Sequence, residues 1–294
     1  MRNSIKPLIQ SLWYATDSKG RSETMAENWS TARIGFIGAG VMGTALIKSL
    51  LSIGIKANQI CISEKVAEKS QELNRTLGIS EKSIAEIASQ CDLIFLAVKP
   101  QDLADLLTQL SKSLPEKTLL LSIAAGKTTA FIEAGIGKTN PVIRIMPNTP
   151  AQVGKGVSAI SGGKYAKADD LAIATNLLSA SGLVVQVAEA QQDAVTALSG
   201  SGPAYFFYFV EEMIKSGVAL GLSQEIATKL AIGTITGSAA MLQESGLDAA
   251  TLRKNVTSPN GTTAAAINEF EKANLAQIIN DAMSAAKKRA QELA

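Results

Sequence analysis

Residues 33–43 read RIGFIGAGVMG, and this stretch decides the fold. A β-prone apolar run leads into Gly38, Gly40 and Gly43, which are spaced as G-x-G-x-x-G and followed by a helical apolar period. In such a turn the first glycine permits the tight bend, the second lets backbone approach a pyrophosphate, and the third permits close helix–strand contact. A plain glycine turn is the alternative, but the strand before and the helix after are the context that the motif requires. We therefore expect a dinucleotide site here.

Short apolar runs recur downstream and alternate with helical segments. They occupy residues 59–63, 91–98, 118–125, 140–146, 156–161 and 182–187. Nearly continuous apolar strands are typical of a parallel sheet that is buried on both faces. The alternation predicts an α/β fold with a Rossmann-type doubly wound sheet over residues 33–190.

The sequence pattern changes after about Gln191, and no further strand is predicted beyond this point. Helices are predicted over residues 203–220, 224–245, 248–256, 264–271 and 273–293. Two of them are rich in small residues, which let helices approach closely within a chain or against a partner subunit. We predict an all-α substrate and dimerisation domain over 191–294. Residues 1–32 are polar and irregular, and we expect a disordered, dispensable extension.

The composition excludes several functional classes. The 294-residue chain has no histidine, so a Ser-His-Asp triad or a histidine metal site is impossible, and we expect no metal. A net charge of +2, spread along the chain, gives no reason to expect nucleic acid as a partner. No apolar run approaches the length of about 18 residues that would indicate a membrane span. Cys61 and Cys91 lie at or in apolar runs, which favours two reduced core thiols over one disulfide. Reduced thiols are typical of the cytoplasm, so we expect a cytoplasmic location.

The end of the second strand should bear on the choice between NAD and NADP, because that position contacts the adenosine ribose in Rossmann folds. It reads Ser63-Glu64-Lys65. Glu64 could accept hydrogen bonds from a ribose 2′-hydroxyl, whereas Ser63, Lys65 and Lys69 could receive a 2′-phosphate. Solvated charges at a helix start are equally consistent with these residues, so the choice stays open.

Three other strands end in small or turn-forming residues, in AVKPQ (97–101), SIAAG (122–126) and RIMPNTP (144–150). Ligands of open α/β sheets bind at the carboxyl ends of strands. Lys99 would place a cation near the cofactor, while Asn148 lies in a rigid polar loop. Taken alone, SIAAG and RIMPNTP favour a structural role over a ligand site, and for AVKPQ a plain strand-ending loop is the alternative.

Two glycine-containing loops occur in the helical half. In ALSGSGPAY (197–205), Pro203 suits the first turn of a helix whose amides could face an anion, although an interdomain turn is the alternative. In NVTSPNGTTAAAINEFE (255–271), a turn precedes Thr262 and Thr263 at the expected start of a helix. Threonine is a good N-cap, and free amides there attract a carboxylate. A simple capped helix is the competing interpretation.

These motifs, in this order, resemble those of pyrroline-5-carboxylate reductases. The resemblance runs from about Arg33 to the C-terminus, and the last segment is similar to the signature of that family. The family usually has two glycines in the turn, where Asn260 here takes the place of the first. Asparagine tolerates left-handed backbone, so we expect the turn to be kept.

The resemblance implies a reductase that converts 1-pyrroline-5-carboxylate to L-proline, the last step of proline biosynthesis. It implies NADPH as the cofactor with NADH as an alternative, and a homodimer that can assemble further. Thr263 would be the catalytic residue. The implied substrate-binding residues are Val256, Ser258, Asn260, Gly261, Thr262 and Thr263. The implied cofactor-binding residues are Ile37, Gly38, Ala39, Gly40, Val41, Met42, Gly43, Ser63, Ala97, Val98, Lys99, Pro100, Ala124, Ala125 and Gly126.

Two other functions are open to a sequence of this kind. One is a related reductase for another imine or for a 2-hydroxy acid, which would use a helical lysine such as Lys215 or Lys229. The other is a non-catalytic dinucleotide-binding paralogue, which would keep the glycine turn but lose the loop from Ser258 to Thr263. That loop is intact here.

Overall fold

The computed structural model describes residues 31–293, so all but the end of the predicted extension 1–32 lies outside the described residues. Eight strands form one sheet in the order β3-β2-β1-β4-β5-β6-β7-β8. All neighbouring strands are parallel except β6 and β7, which are antiparallel. The strands are β1 Ile34–Ile37, β2 Ile60–Ser63, β3 Ser80–Glu81, β4 Leu93–Leu96, β5 Leu119–Ser122, β6 Val142–Met146, β7 Gly156–Gly162 and β8 Gly182–Gln186.

The helices follow the strands through the first two thirds of the chain and then follow one another. They are α1 Val41–Ser52, α2 Ala67–Leu77, α3 Ile84–Gln90, α4 Leu103–Ser111, α5 Thr129–Ile136, α6 Ala168–Ser179, α7 Gln192–Val195, α8 Gly202–Ala219, α9 Gln224–Glu244, α10 Ala249–Asn255, α11 Thr262–Lys272 and α12 Leu275–Glu292. The predicted fold class, a doubly wound sheet followed by an all-α region, is confirmed. Within residues 31–293, no helix combines the length and the apolar character that a membrane crossing requires.

The sheet is buried on both faces. Phe36 of β1 and Phe95 of β4 are register neighbours, and their fully buried rings stack with centroids 4.4 Å apart. Ile37 and Ile94 alternate with them and belong to a second apolar cluster. Successive side chains of a strand point to opposite faces, so the two clusters lie on the two sides of the sheet. Burial of one such side chain stabilises the fold by about 1.5–3 kcal/mol.

The described residues fall into two compact units, which divide between Pro203 and Ala204. Residues 31–203 and 285–293 form the sheet unit, and residues 204–284 form the helical unit. The division lies beyond the predicted boundary at residue 190, because side chains after that point bind the sheet. Gln192 is buried and donates to the Ser161 hydroxyl at 2.8 Å, and Asp193 lies 3.3 Å from the buried Arg144 guanidinium.

The two cysteines are free and buried, as the sequence indicates. Their sulfur atoms are 3.5 Å apart, and Gly35 of β1 permits this close packing, because a Cβ atom there would lie 3.2 Å from the sulfur of Cys91 and would clash with Ile87. A hydrogen bond between the thiols lowers the pKa of Cys61 and raises that of Cys91 from their ordinary values. The pair fills the core between β1 and α3.

Candidate functional site

The first glycine of the turn is fixed by a close backbone contact. Gly38 has φ +92°, and a Cβ atom there would lie 2.5 Å from the carbonyl oxygen of Ala97. Its amide donates to the carbonyl of Ser63 at 2.8 Å. The turn after β1 is therefore held against the ends of β2 and β4, and no side chain fits at this position.

The other two glycines differ in what surrounds them. A Cβ atom on Gly43 would lie 2.9 Å from the carbonyl oxygen of Gly38, so α1 starts tightly against the turn. A Cβ atom on Gly40 would meet nothing within 4 Å. Gly40 is the N-cap of α1 and has no side-chain cap hydrogen bond, so amides of the first turn face open space. Such a helix start fits a pyrophosphate.

Replacement of Gly40 by alanine should weaken dinucleotide binding without destabilising the fold. Gly40 has φ −64°, which alanine adopts without strain, so we expect the melting temperature to change by no more than about 2 °C. The added methyl group occupies the space next to the amides, and we expect dinucleotide affinity to fall by about tenfold. Thermal unfolding and equilibrium titration measure the two effects. Unchanged affinity in the Gly40→Ala variant would place the pyrophosphate elsewhere.

The carboxylate of Glu64 is part of the turn. Its Oε2 atom accepts from the amide of Ala39 at 2.7 Å, and its Oε1 atom accepts from the amide of Val66 at 3.1 Å. The interpretation of Glu64 as a freely solvated charge at a helix start is therefore wrong. It lies where an acidic residue binds the adenosine ribose in dinucleotide folds. A pocket of about 350 Å³ beside the turn includes Ala39, Gly40 and Lys69 in its lining.

The other predicted cofactor residues lie at the same edge of the sheet. Ile37 is level with Ser63 on one side and with Leu96 on the other. Leu96 is in turn level with Ser122, so the segments that follow β4 and β5 start beside the glycine turn. The structure thus brings together Ile37, Gly38, Ala39, Gly40, Val41, Met42, Gly43, Ser63, Ala97, Val98, Lys99, Pro100, Ala124, Ala125 and Gly126.

Two polar residues near this edge have roles that the sequence did not reveal. Lys65 forms an ion pair with Asp102, with 3.0 Å between Nζ and Oδ1. Asn148 is structural, because its side chain donates to the carbonyl of Ser199 and accepts from the amide of Val157. Both arrangements join segments distant in sequence, so spacing alone does not predict them.

The predicted substrate residues lie in the helical unit. Asn260 has φ +58°, the left-handed conformation expected of a residue that replaces glycine in the turn. Gly261 is the N-cap of α11, it has no side-chain cap hydrogen bond, and its amide donates to the carbonyl of Ser258 at 3.0 Å. The turn leads directly into a helix whose first amides are available to an anion.

Thr263 is not the cap of this helix. The N-cap is Gly261, so Thr262 and Thr263 are the first two helical residues, and the threonine-cap interpretation is wrong. Thr263 is half-buried, and its hydroxyl makes no hydrogen bond within the part of the chain that the structure describes. Val256 and Ser258 are exposed on the same loop. The loop therefore presents a hydroxyl and backbone amides together.

The role of the left-handed backbone at Asn260 can be tested against a control position in the same unit. Asn274 has nearly the same φ, +57°, but lies after α11 and outside the loop. A β-branched residue is strained in this conformation, so Asn260→Val and Asn274→Val should each lose about 1–2 kcal/mol of stability. Only Asn260→Val should also lower turnover of the folded protein. Equal turnover in both variants, measured below their melting temperatures, would show that the loop conformation has no role in activity.

A pocket and two lysines of the helical unit were other candidates for a substrate site, and none of them involves the loop from Ser258 to Thr263. A pocket of about 510 Å³ between α10 and α11 includes Thr257 in its lining but none of the six predicted substrate residues. The carboxylates of Glu211 and Glu212 raise the pKa of Lys215 above its ordinary value through hydrogen bonds. Lys229 is paired with Glu225 at 2.6 Å. Both lysines that could have served a hydroxy-acid dehydrogenase are thus held in exposed ion pairs.

A doubly wound sheet with this glycine turn is the architecture of a dinucleotide-binding protein, and a helical region follows it here. Residues 33–126 match the family model "NADP oxidoreductase coenzyme F420-dependent", and residues 189–293 match "Pyrroline-5-carboxylate reductase dimerisation". The chain is 42% identical to the pyrroline-5-carboxylate reductase of Pseudomonas aeruginosa over 267 residues, which cover 90% of this chain and 98% of that protein. It is 36% identical to the enzyme of that name from Arabidopsis thaliana, with 89% and 95% coverage.

Solved structures agree with these sequence matches. The pyrroline-5-carboxylate reductase of Coxiella burnetii is 36% identical, with a TM-score of 0.84 and coverage of 90% of this chain and 99% of that one. The Plasmodium falciparum pyrroline carboxylate reductase, solved with NADP bound, is 30% identical with a TM-score of 0.82, and the match covers 90% and 98% of the two chains. The chain belongs to the pyrroline-5-carboxylate reductase family.

Proposed function

We propose that this chain reduces the C=N bond of 1-pyrroline-5-carboxylate to give L-proline, with NADPH as the reductant and NADH as an alternative. The observation that carries the proposal is the start of α11, where uncapped amides and the Thr263 hydroxyl follow a left-handed turn at Asn260. A cyclic imino acid offers one carboxylate and one ring nitrogen, and this loop offers a partner for each.

The substrate carboxylate would bind at the helix start. The Ser258 hydroxyl and the amides of Asn260, Thr262 and Thr263 are donors, since the amide of Gly261 already donates to the carbonyl of Ser258. The positive end of the helix dipole also favours an anion. Gly261 in the cap position leaves these amides uncovered, because it has no side chain that could accept from them. Binding at this point would leave the substrate ring next to the hydroxyl of Thr263.

Thr263 would position the ring nitrogen. Solvent can protonate a cyclic imine near neutral pH, so the reaction does not need a strong protein acid, and a chain without histidine can catalyse it. The neutral hydroxyl can accept from the iminium N–H and donate to the amine lone pair that forms. Fixed orientation of this kind can contribute several kcal/mol to lowering the barrier.

The cofactor would bind at the glycine turn of the sheet unit. When bound, the reduced nicotinamide supplies the hydride. The amides at the start of α1 would hold the pyrophosphate, and Glu64 could accept from a ribose hydroxyl. Ser63, Lys65 and Lys69 would receive the 2′-phosphate of NADPH, while the negative charge of Glu64 opposes it. With these opposing charges, the site would also accept NADH.

The proposal is tested by incubating the purified protein with NADPH or NADH and 1-pyrroline-5-carboxylate. We expect substrate-dependent oxidation of the cofactor and formation of proline, with no oxidation of the reduced cofactor by 2-keto acids and no reduction of NAD(P)+ by 2-hydroxy acids. Cofactor oxidation with another cyclic imine but not with this one would show that the substrate is misassigned. Absence of proline would refute the proposal.

We further propose a homodimer formed by the helical unit, whose dimerisation family model covers residues 189–293. Large apolar side chains of this unit are exposed in the single chain, among them Phe207 at 68%, Tyr208 at 65% and Leu220 at 86%. A concentration of large exposed apolar side chains in one unit is typical of a protein interface. Light scattering at micromolar concentration should give the mass of a dimer or of a larger even-numbered oligomer, and a monomer would contradict this proposal.

A further inference from the structure

The ion pair between Lys65 and Asp102 crosses the edge of the sheet at which the dinucleotide is proposed to bind. Lys65 follows β2, and Asp102 ends the short helical turn after β4. These strands do not pair with each other, because β1 lies between them. The ion pair therefore links the two segments that flank the glycine turn.

We propose that Asp102 is a cofactor-selectivity residue that competes with the 2′-phosphate of NADPH for Lys65 and so holds down the preference for NADPH over NADH. The inference rests on the proposed cofactor site. It adds a residue that does not itself touch either cofactor but acts through the lysine.

The position of Lys65 makes it a partner for the phosphate. Glu64 binds the amide of Ala39 in the turn, at the place of a ribose-binding acid, and Lys65 is the first cation after it. A phosphate on the ribose 2′-oxygen lies next to that acid and within reach of a flexible ammonium group. NADH carries a hydroxyl there and gains little from a lysine.

The ion pair is weak enough to be broken by the phosphate but not by a neutral group. The Lys65 side chain is 79% exposed and that of Asp102 is 37% exposed, and exposed pairs of this kind change an equilibrium constant by no more than about fivefold. A phosphate has more charge and more acceptor oxygens than a carboxylate. Asp102 should therefore reduce NADPH affinity without abolishing it, since its pairing with Lys65 must be lost when the phosphate binds.

The test is equilibrium binding of NADPH and NADH, followed by cofactor fluorescence without substrate, in five forms of the full-length protein. These are the unaltered chain, Asp102→Asn, Lys65→Gln, the double variant with both changes, and Asp105→Asn. Asp105 is exposed in the first turn of α4 and provides a control for loss of one negative charge close to the pair. Melting temperatures confirm that each form is folded.

We expect Asp102→Asn to raise NADPH affinity by about threefold to fivefold, and to change NADH affinity by less than about twofold. Lys65→Gln should weaken NADPH binding only, and Asp102→Asn should have no effect when added to it. Asp105→Asn should leave both affinities unchanged.

Three results would overturn the inference. They are an equal gain for both cofactors, a full gain in the Lys65→Gln background, and a gain of the same size in Asp105→Asn. The first and third would show a general effect of charge, and the second would show that Lys65 is not the intermediary. A failure of the proposed function looks different, because the unaltered chain would then bind neither cofactor or bind both without forming proline.

Discussion

Thr263→Ala should lower kcat/KM for 1-pyrroline-5-carboxylate by about tenfold to a thousandfold, or about 1–4 kcal/mol of transition-state stabilisation. Removal of the hydroxyl takes away the partner of the ring nitrogen and leaves the backbone amides in place. Cofactor affinity should not change, because the glycine turn belongs to the sheet unit.

The stability of the same variant separates a catalytic role from a structural one. Loss of an N-cap costs about 1 kcal/mol, but the N-cap here is Gly261, so Thr263→Ala should melt close to the unaltered chain. Thr263→Ser keeps the hydroxyl and should retain most activity. Thr262→Ala removes the neighbouring hydroxyl, keeps its amide, and should lose less than about threefold. Full activity of Thr263→Ala below its melting temperature would refute the catalytic assignment.

Gly38→Ala should lower dinucleotide affinity by about tenfold to a hundredfold and destabilise the sheet unit. The reason is twofold. Alanine at φ +92° is strained, and its Cβ atom would lie 2.5 Å from the carbonyl oxygen of Ala97. To relieve the clash, the turn must move away from β4, and the amides at the start of α1 move with it.

Gly54→Ala is the matched control for this variant. Gly54 has φ +95°, so the backbone strain is nearly the same, but a Cβ atom there meets nothing within 4 Å. Gly54→Ala should lose some stability and keep normal cofactor affinity. If the two variants bind the cofactor equally well, the contact between Gly38 and Ala97 does not shape the site. The measurements are thermal unfolding and titration with reduced cofactor.

The fold and much of the candidate site could be predicted because they depend on local patterns. Continuous apolar strands reflect a sheet buried on both faces, and the open space at Gly40 agrees with the role that spacing assigned to the second glycine. The left-handed conformation of Asn260 also follows from a local rule, that asparagine tolerates this region better than other non-glycine residues.

What the sequence could not predict depends on contacts between distant segments. The two-residue strand Ser80–Glu81 is too short to have a pattern of its own, and it forms because it pairs with β2. The division at Pro203 depends on side chains such as Gln192 that bind the sheet. Glu64 contacts Ala39 and Lys65 contacts Asp102 only because β1, β2 and β4 lie side by side in the sheet.

The prediction that a threonine caps α11 is wrong for a physical reason. Cap preference favours threonine over glycine only slightly, and the turn before the helix decides which residue takes the cap position. Because Asn260 adopts the left-handed conformation, Gly261 becomes the cap and both threonines enter the helix. The hydroxyl of Thr263 is thereby left for a ligand, which strengthens the proposed role of this residue.

The measurement that tests the central claim most directly is transfer of deuterium from reduced cofactor that carries deuterium at both C4 positions of the nicotinamide. The protein is incubated with labelled NADPH and unlabelled 1-pyrroline-5-carboxylate, and the product is analysed by mass spectrometry and NMR. We expect L-proline with one deuterium at the ring carbon that formed the C=N bond, and the same transfer at a much lower rate with Thr263→Ala. Cofactor oxidation without deuterium in proline, or no proline at all, would contradict the account.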